Sequence, residues 1–329
     1  MNLERRNQLN IIYGPDGNLG TATLNGTRYF YFANHAATWR VSADENEFTK
    51  DQAITKINVS TTQSQFSYFA AGPVLELPEI GKMVMFYHAE EHPLGRGQRV
   101  FYTSIGVAVS DLSDGINFED LGLVLTLNMG EEDRDKVKIA DLGGATFLIT
   151  QTEPRQLRIY FKDTLKGGEQ IKLSVSQVDY LEFVQSIRDR KAPGLKKYYA
   201  GGFNENGLGG KSTSIIGPGP YLRWPAVSYN NFLNKYIMVF SQNDPDWRDN
   251  RFVHLYFTQS DDGVVWEVPT KLVDMAAELQ YPTLVDPTNH QTHLSGQSVN
   301  LYFIHSKQTD GFRRWLDAVV MKKRLNFSN

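Results

Sequence analysis

Ser260-Asp261-Asp262-Gly263-Val264-Val265-Trp266 spells a tight turn followed by an aromatic. Asp-Gly supplies the left-handed backbone that a short hairpin needs, and the Trp behind it can pack between sheets. The same order of Ser, Asp turn and aromatic recurs as Ser110-Asp111-Leu112-Ser113-Asp114-Gly115-Ile116-Asn117-Phe118. A looser copy runs from Ser42-Ala43-Asp44 to Phe48, and a degenerate one from Ser176-Gln177-Val178-Asp179 to Phe183. A recurring turn at long intervals is the mark of a repeat architecture.

Working back from each turn, two strand types accompany it. A short first strand is often opened by Pro: Gly14-Pro15, Gly72-Pro73-Val74-Leu75, Trp224-Pro225-Ala226-Val227 and Tyr281-Pro282-Thr283-Leu284, with Gly144-Ala145-Thr146-Phe147-Leu148 as the third copy. An aromatic-rich second strand follows: Tyr29–Phe32, Met83–Tyr87, Leu157–Phe161, Tyr236–Phe240 and Asn300–Ile304. Residues 178–192 could hold a short helical piece, but β-rich runs bounded by Gly, Asn, Asp and Pro dominate. The order is first strand, second strand, third strand, Asp turn, fourth strand, in units of roughly 65 residues, somewhat longer than typical propeller blades. The expectation is an all-β, five-bladed β-propeller of four-stranded antiparallel blades in one domain. Approximate blades are 14–65, 66–130, 131–213, 214–275 and 276–329. The last unit stops after its third strand, so 8–13 is expected to supply its outer strand and close the ring. A β-sandwich or two small β domains is the competing architecture.

The chain of 329 residues is long enough for a large core. Its 16 Tyr and 19 Phe favour strands. A formal net charge of −3 with no basic stripe argues against nucleic acid as a partner. There is no Cys, which excludes disulfides, thiolate metal sites and a Cys nucleophile. No apolar signal-peptide core follows Met1 and no apolar run is long enough to span a membrane, so the default expectation is cytoplasmic, with export left open. Oligomeric state is not legible.

In such a meander the Asp turns lie on one face, and the starts of first strands and ends of second strands lie on the other. That second face is polar. Before the first strands stand Asp16, Asp141, Arg223 and Glu278 with Gln280; after the second strands stand Asn34-His35, His88 to His92, Asp163, Gln242 to Asp244 and His305-Ser306-Lys307. Charges gathered at a ring centre are costly unless they serve a ligand. Trp224, Tyr281 and Trp247 could stack on a sugar ring, with core packing as the bland alternative for the first two. Oxygen ligands converging on the channel could hold a structural Ca²⁺ or a water, although no cofactor is required.

Five blades, Pro-led first strands, Tyr/Phe-rich second strands and the Ser-to-Trp turn together resemble the five-bladed glycoside hydrolases of arabinanase, β-xylosidase and invertase type. The resemblance spans the chain and implies a glycoside hydrolase or transglycosylase with carbohydrate as its partner. It implies Asp16 as base, Asp141 as an orienting acid, and Glu278 or Glu90 as proton donor. His35, His88, Arg223, Trp224, Asp244, Trp247 and His305 would bind substrate. Three departures stand out: Pro15-Asp16 reverses the usual Asp-Pro order, the second blade carries no acid at Ala70-Ala71, and Arg223 stands where an acid is expected.

Two other functions compete. A non-catalytic propeller would bind a glycan or protein, and a metal-dependent lactonase would hold a central ion. The Ser260–Trp266 turn is also similar to the sialidase Asp box, but only one good copy exists. Gly207-Leu208-Gly209-Gly210-Lys211-Ser212-Thr213 looks like a phosphate loop without the required strand and helix, and is read as a flexible loop between the third and fourth units. Gly95 to Arg99 reads as a solvated basic loop. His88, Glu90, Glu91 and His92 do not have a recognised metal spacing.

Overall fold

The computed structural model describes residues 15–34, 37–43, 54–95, 100–130, 139–164, 171–217, 222–243, 253–273, 277–306 and 318–328. Strands dominate, arranged as successive antiparallel meanders. The first is β1 (Gly20–Leu24), β2 (Thr27–Asn34), β3 (Ala37–Ser42) and β4 (Ile54–Lys56), paired in that order. Next come β5 (Asn58–Ser60), β6 (Phe66–Leu77), β7 (Lys82–Glu91), β8 (Phe101–Asp111) and β9 (Asn117–Thr126). Here β6 to β9 form the meander, while β5 adds in parallel outside β9 and β10 (Ile139–Ala140) pairs with β8. The third sheet is β11 (Leu142–Ile149), β12 (Gln156–Thr164), β13 (Ile171–Asp179), β14 (Lys196–Tyr199) and β15 (Gly202–Asn206).

The remaining strands form two meanders in one hydrogen-bonded sheet. One is β16 (Leu222–Asn230), β17 (Lys235–Asn243), β18 (Val253–Ser260) and β19 (Thr270–Val273). The other is β20 (Glu278–Val285), β22 (Ser298–Ser306) and β23 (Val319–Asn326), three strands among the described residues. The two join where Val253 meets Glu278, and β21 (Leu294–Ser295) pairs with β16. The second strands are deeply buried, with Phe86, Tyr160, Phe161 and Phe240 inaccessible to solvent. Their apolar faces meet the neighbouring meander, as a stacked β architecture requires.

The Asp turns show why their sequence recurs. Ser260 Oγ accepts from Asp262 and Gly263 N–H, and Asp262 Oδ1 accepts from Val264 and Val265 N–H at 2.8 Å. Gly263 is left-handed at φ 73°, and its carbonyl accepts from Tyr160 O–H of the preceding meander at 3.0 Å, while Arg158 bonds the carbonyl of Asp262. The earlier turn repeats this. Gly115 lies at φ 58°, its carbonyl accepts from Tyr31 O–H at 2.9 Å, and Arg40 bonds the Asp114 carbonyl at 2.9 Å. Each turn is therefore a latch between meanders.

Two sequence expectations change. The degenerate copy at Ser176–Phe183 is not a turn: β13 runs into helix α1 (Tyr180–Arg188). Asp179 caps it through Leu181 and Glu182 N–H, and Phe183, Val184 and Ile187 form its buried face. The Gly207–Thr213 segment is anchored rather than flexible. Gly209 N–H donates to Thr126 Oγ1, the buried Lys197 ammonium donates to the Thr126 and Gly210 carbonyls, and Ser212 Oγ donates to Asp163. Burial holds Lys197 down to about 8.

Candidate active site

Four of the first strands break register at equivalent places. The breaks are Ala71/Val74, Gly143/Thr146, Arg223/Ala226 and Gln280/Thr283. The skipped pairs are Gly72-Pro73, Gly144-Ala145, Trp224-Pro225 and Tyr281-Pro282. A bulge removes a residue from the ladder, so Pro loses nothing by lacking an N–H there. Gly72 is required because a Cβ would strike the Phe86 carbonyl. Asp16 precedes β1 in the same sense, its N–H donating to the Ala33 carbonyl of β2 at 2.9 Å.

The first strands meet around one cavity. Asn18 and Leu19, Pro73, Ala145 and Thr146, Ala226 and Val227, and Thr283 and Leu284 line a single small cavity. Asn18 Nδ2 donates to the carbonyls of Pro225 at 3.2 Å and Pro282 at 2.6 Å. The described lining carries no carboxylate. Neutral amide and hydroxyl oxygens at this spacing suit a water; a Ca²⁺ cage needs six to eight oxygens, commonly including carboxylates.

Residues beside the bulges form a continuous chain of contacts. Tyr281 O–H donates to Asp16 Oδ1 at 2.8 Å. The Tyr281 ring lies 4.4 Å from that of Trp224, at 49°. The Lys162 ammonium stands 5.1 Å from the Trp224 ring and is bonded to Asp141 Oδ2; the Arg223 guanidinium is 5.5 Å from the same ring. Thr103 Oγ1 donates to Asp141 Oδ1 at 3.3 Å. His88 packs so closely on Gly143 that a Cβ would meet its Nδ1 at 2.7 Å. Glu90 lies between two imidazoles, 3.1 Å from His88 Nε2 and 3.2 Å from His92 Nε2.

Burial alone would raise the Asp141 carboxyl. The charge of Lys162, the charge of His88, the Lys162 hydrogen bond and the charge of Arg223 outweigh it and hold Asp141 below the usual carboxylate range. Glu278 is in a different setting. It is 4 % exposed and receives a bond from the neutral amide Nε2 of Gln280, two residues along β20. His305, 6 % exposed, lies opposite Leu279 on β22.

Most of the expected residues are thus placed near the same end of the meanders. Asp16, His88, Glu90, Asp141, Arg223 and Trp224 belong to the contact chain, and Glu278 and His305 sit on β20 and β22 beside it. Trp224 is 6 % exposed and covered by Tyr281, so it is not an open stacking platform. His35, Asp244 and Trp247 lie outside the described residues. Asp163, on the opposite side of β12 from Lys162, faces Ser212 at 2.5 Å and is structural. Lys162 was not anticipated. Its signal was a cation inside an apolar strand, Leu157-Arg158-Ile159-Tyr160-Phe161-Lys162, whose pairing partner is Gly143. Among the described residues no group of three or more His, Asp or Glu could hold a metal ion. No helix among them is long and apolar enough to cross a membrane.

No family model matches this sequence, and no curated protein matches it. Solved structures do match. A GH62 hydrolase in complex with xylotriose is 9 % identical at TM-score 0.61, over 94 % of this chain and 93 % of its own. The native arabinanase of Bacillus subtilis is 11 % identical at TM-score 0.58, over 95 % of each chain. An N-acetylgalactosamine deacetylase from F. plautii is 10 % identical at TM-score 0.54, over 96 % and 91 %. The chain has the fold of the propeller-type glycoside hydrolases. At these identities the likeness is one of fold, and the deacetylase shows that the fold hosts more than one chemistry.

Proposed function

We propose that this chain is a glycoside hydrolase acting on an oligo- or polysaccharide, built as one five-bladed ring that residues 8–13 close. The observation that carries the reading is the placing of three carboxyl groups, Asp16, Asp141 and Glu278, at or just ahead of the first strands, in three unlike environments. Glycoside hydrolysis needs two carboxyl groups in opposite protonation states across the scissile bond.

Asp141, bonded to an ammonium, stays ionised and orients a substrate hydroxyl or faces the positive charge that develops on the sugar. Asp16, which accepts a hydrogen bond from the Tyr281 hydroxyl, is the base that takes a proton from the attacking water. Glu278, buried against a neutral amide, is the donor whose proton goes to the departing glycosidic oxygen. His88, Arg223 and His305 would bind hydroxyls. Glu90, set between two histidines, is the less suitable donor.

Loss of the donor has a specific kinetic signature. Glu278→Gln should lose hydrolysis of oligosaccharides by about 10²-fold or more, yet keep most activity on aryl glycosides whose leaving group departs without a proton. The same pattern in Glu90→Gln instead would transfer the role to Glu90. A second reading is favoured by Arg223 standing at the fourth first strand and by the covering of Trp224 by Tyr281: a propeller that binds glycans without cleaving them. Glycan binding with no hydrolysis by the wild type would establish it.

A further inference from the structure

Two aromatic side chains sit where the backbone favours glycine. Trp224 lies at φ 48° and Tyr281 at φ 52°, at the same bulge position of β16 and β20; the equivalent residue of β11 is Gly144, at φ 60°. Left-handed backbone is uncommon for bulky residues and persists where surroundings enforce it, most often at functional sites. Both side chains are buried, at 6 % and 9 % exposure. The Trp224 ring closes on Gly144, where a Cβ would come within 2.5 Å of its Cδ1. It also meets the Tyr281 ring, the Lys162 ammonium and the Arg223 guanidinium. Tyr281 in turn ends on Asp16.

The pair therefore joins two carboxylates from different meanders through a rigid aromatic bridge. Tyr281 has the geometry to fix one Asp16 oxygen, and Trp224 the geometry to fix Lys162 beneath Asp141. Apolar packing alone would not require a hydroxyl at the end of Tyr281, and Gly144 shows that the bulge itself needs no aromatic.

We propose that Tyr281, buttressed by Trp224, is a positioning residue that holds the Asp16 carboxylate in its working orientation. The inference rests on the reading of Asp16 as the base. It extends that reading to a residue which touches Asp16 but not the bond to be cleaved.

Tyr281→Phe keeps the ring, the stacking and the backbone and removes only the donor. Hydrolysis by this variant should show kcat about 10-fold lower with KM within about 2-fold, because a displaced base affects the chemical step more than binding. The second readout needs no activity. The Asp16 carboxyl carbon, labelled with ¹³C and identified by its loss in Asp16→Asn, is titrated with acid in wild type and variant. Removing a donor to the ionised form should move its midpoint upward by about half a unit or more. Trp224→Gly, which suits the left-handed backbone and removes the buttress, should move it in the same direction. An unchanged midpoint in Tyr281→Phe overturns the proposal, whatever happens to kcat. If wild type hydrolyses nothing, the glycosidase reading fails, and the titration alone still decides whether Tyr281 positions Asp16.

Discussion

Asp141 and Lys162 show how much of the site depends on one pair. Lys162 stands opposite Gly143 in the β11–β12 ladder, and its ammonium is 8 % exposed beside an aspartate that is 19 % exposed. Removing the cation leaves the buried Asp141 charge only partly balanced by His88 and Arg223, and breaking a buried pair commonly costs about 3–5 kcal/mol. Lys162→Met should therefore lower stability by about 3 kcal/mol at pH 7, read as a shift in urea midpoint. The sign with pH follows from the depressed Asp141 carboxyl. The contribution is complete above the unfolded value of about 3.9 and is lost as pH falls through the lower folded value. The gap between wild type and variant should accordingly narrow below about pH 4; a gap independent of pH would show that the pair is not the cause. The acids at the strand starts were legible because polar residues there break the apolar pattern. Lys162 was harder to find, because its meaning depends on a strand pairing that the linear sequence does not display.

The element that the sequence announced best is the Asp-Gly turn, and the structure explains its repetition. Gly263 must be left-handed, and a Cβ there would meet Tyr160 Oη at 2.8 Å and Arg158 Nη1 at 2.9 Å. Gly263→Ala should cost about 2 kcal/mol or more, from backbone strain together with loss of the latch to β12. A loss below about 0.5 kcal/mol in denaturant unfolding would mean that the latch contributes little. The first and second strands were also legible from Pro and aromatic spacing. The helix falls within the 178–192 stretch that could be helical, but its cap reads as a turn because Ser176-Gln177-Val178-Asp179 fits either. What decides is the apolar set Phe183, Val184 and Ile187, whose helical spacing finds a core to enter only after the sheets have assembled. The β14–β15 hairpin and the clasp at Lys197 were invisible for the same reason, since their partners lie far away in sequence.

Across the whole molecule the repeat gave the meander order, and the likeness to propeller-type hydrolases agrees with it. Closure is the least legible feature. β23 carries Lys322, Lys323 and Arg324 exposed along its length, and β22 is its described neighbour on one side. An open strand edge is a liability unless it is paired or guarded by charge. If residues 8–13 cover it, deleting 1–13 should lower the melting temperature by about 5 °C or more; an unchanged value would mean that the charges alone protect the edge. The central claim concerns the carboxylates rather than the ring. Its most direct test is hydrolysis of a panel of oligosaccharides and aryl glycosides by purified protein, with products read by mass spectrometry, beside an Asp16→Ala variant. The account predicts cleavage by the wild type that falls at least 10³-fold in the variant. Cleavage that survives in Asp16→Ala, or glycan binding by the wild type with no cleavage of any substrate, would contradict it.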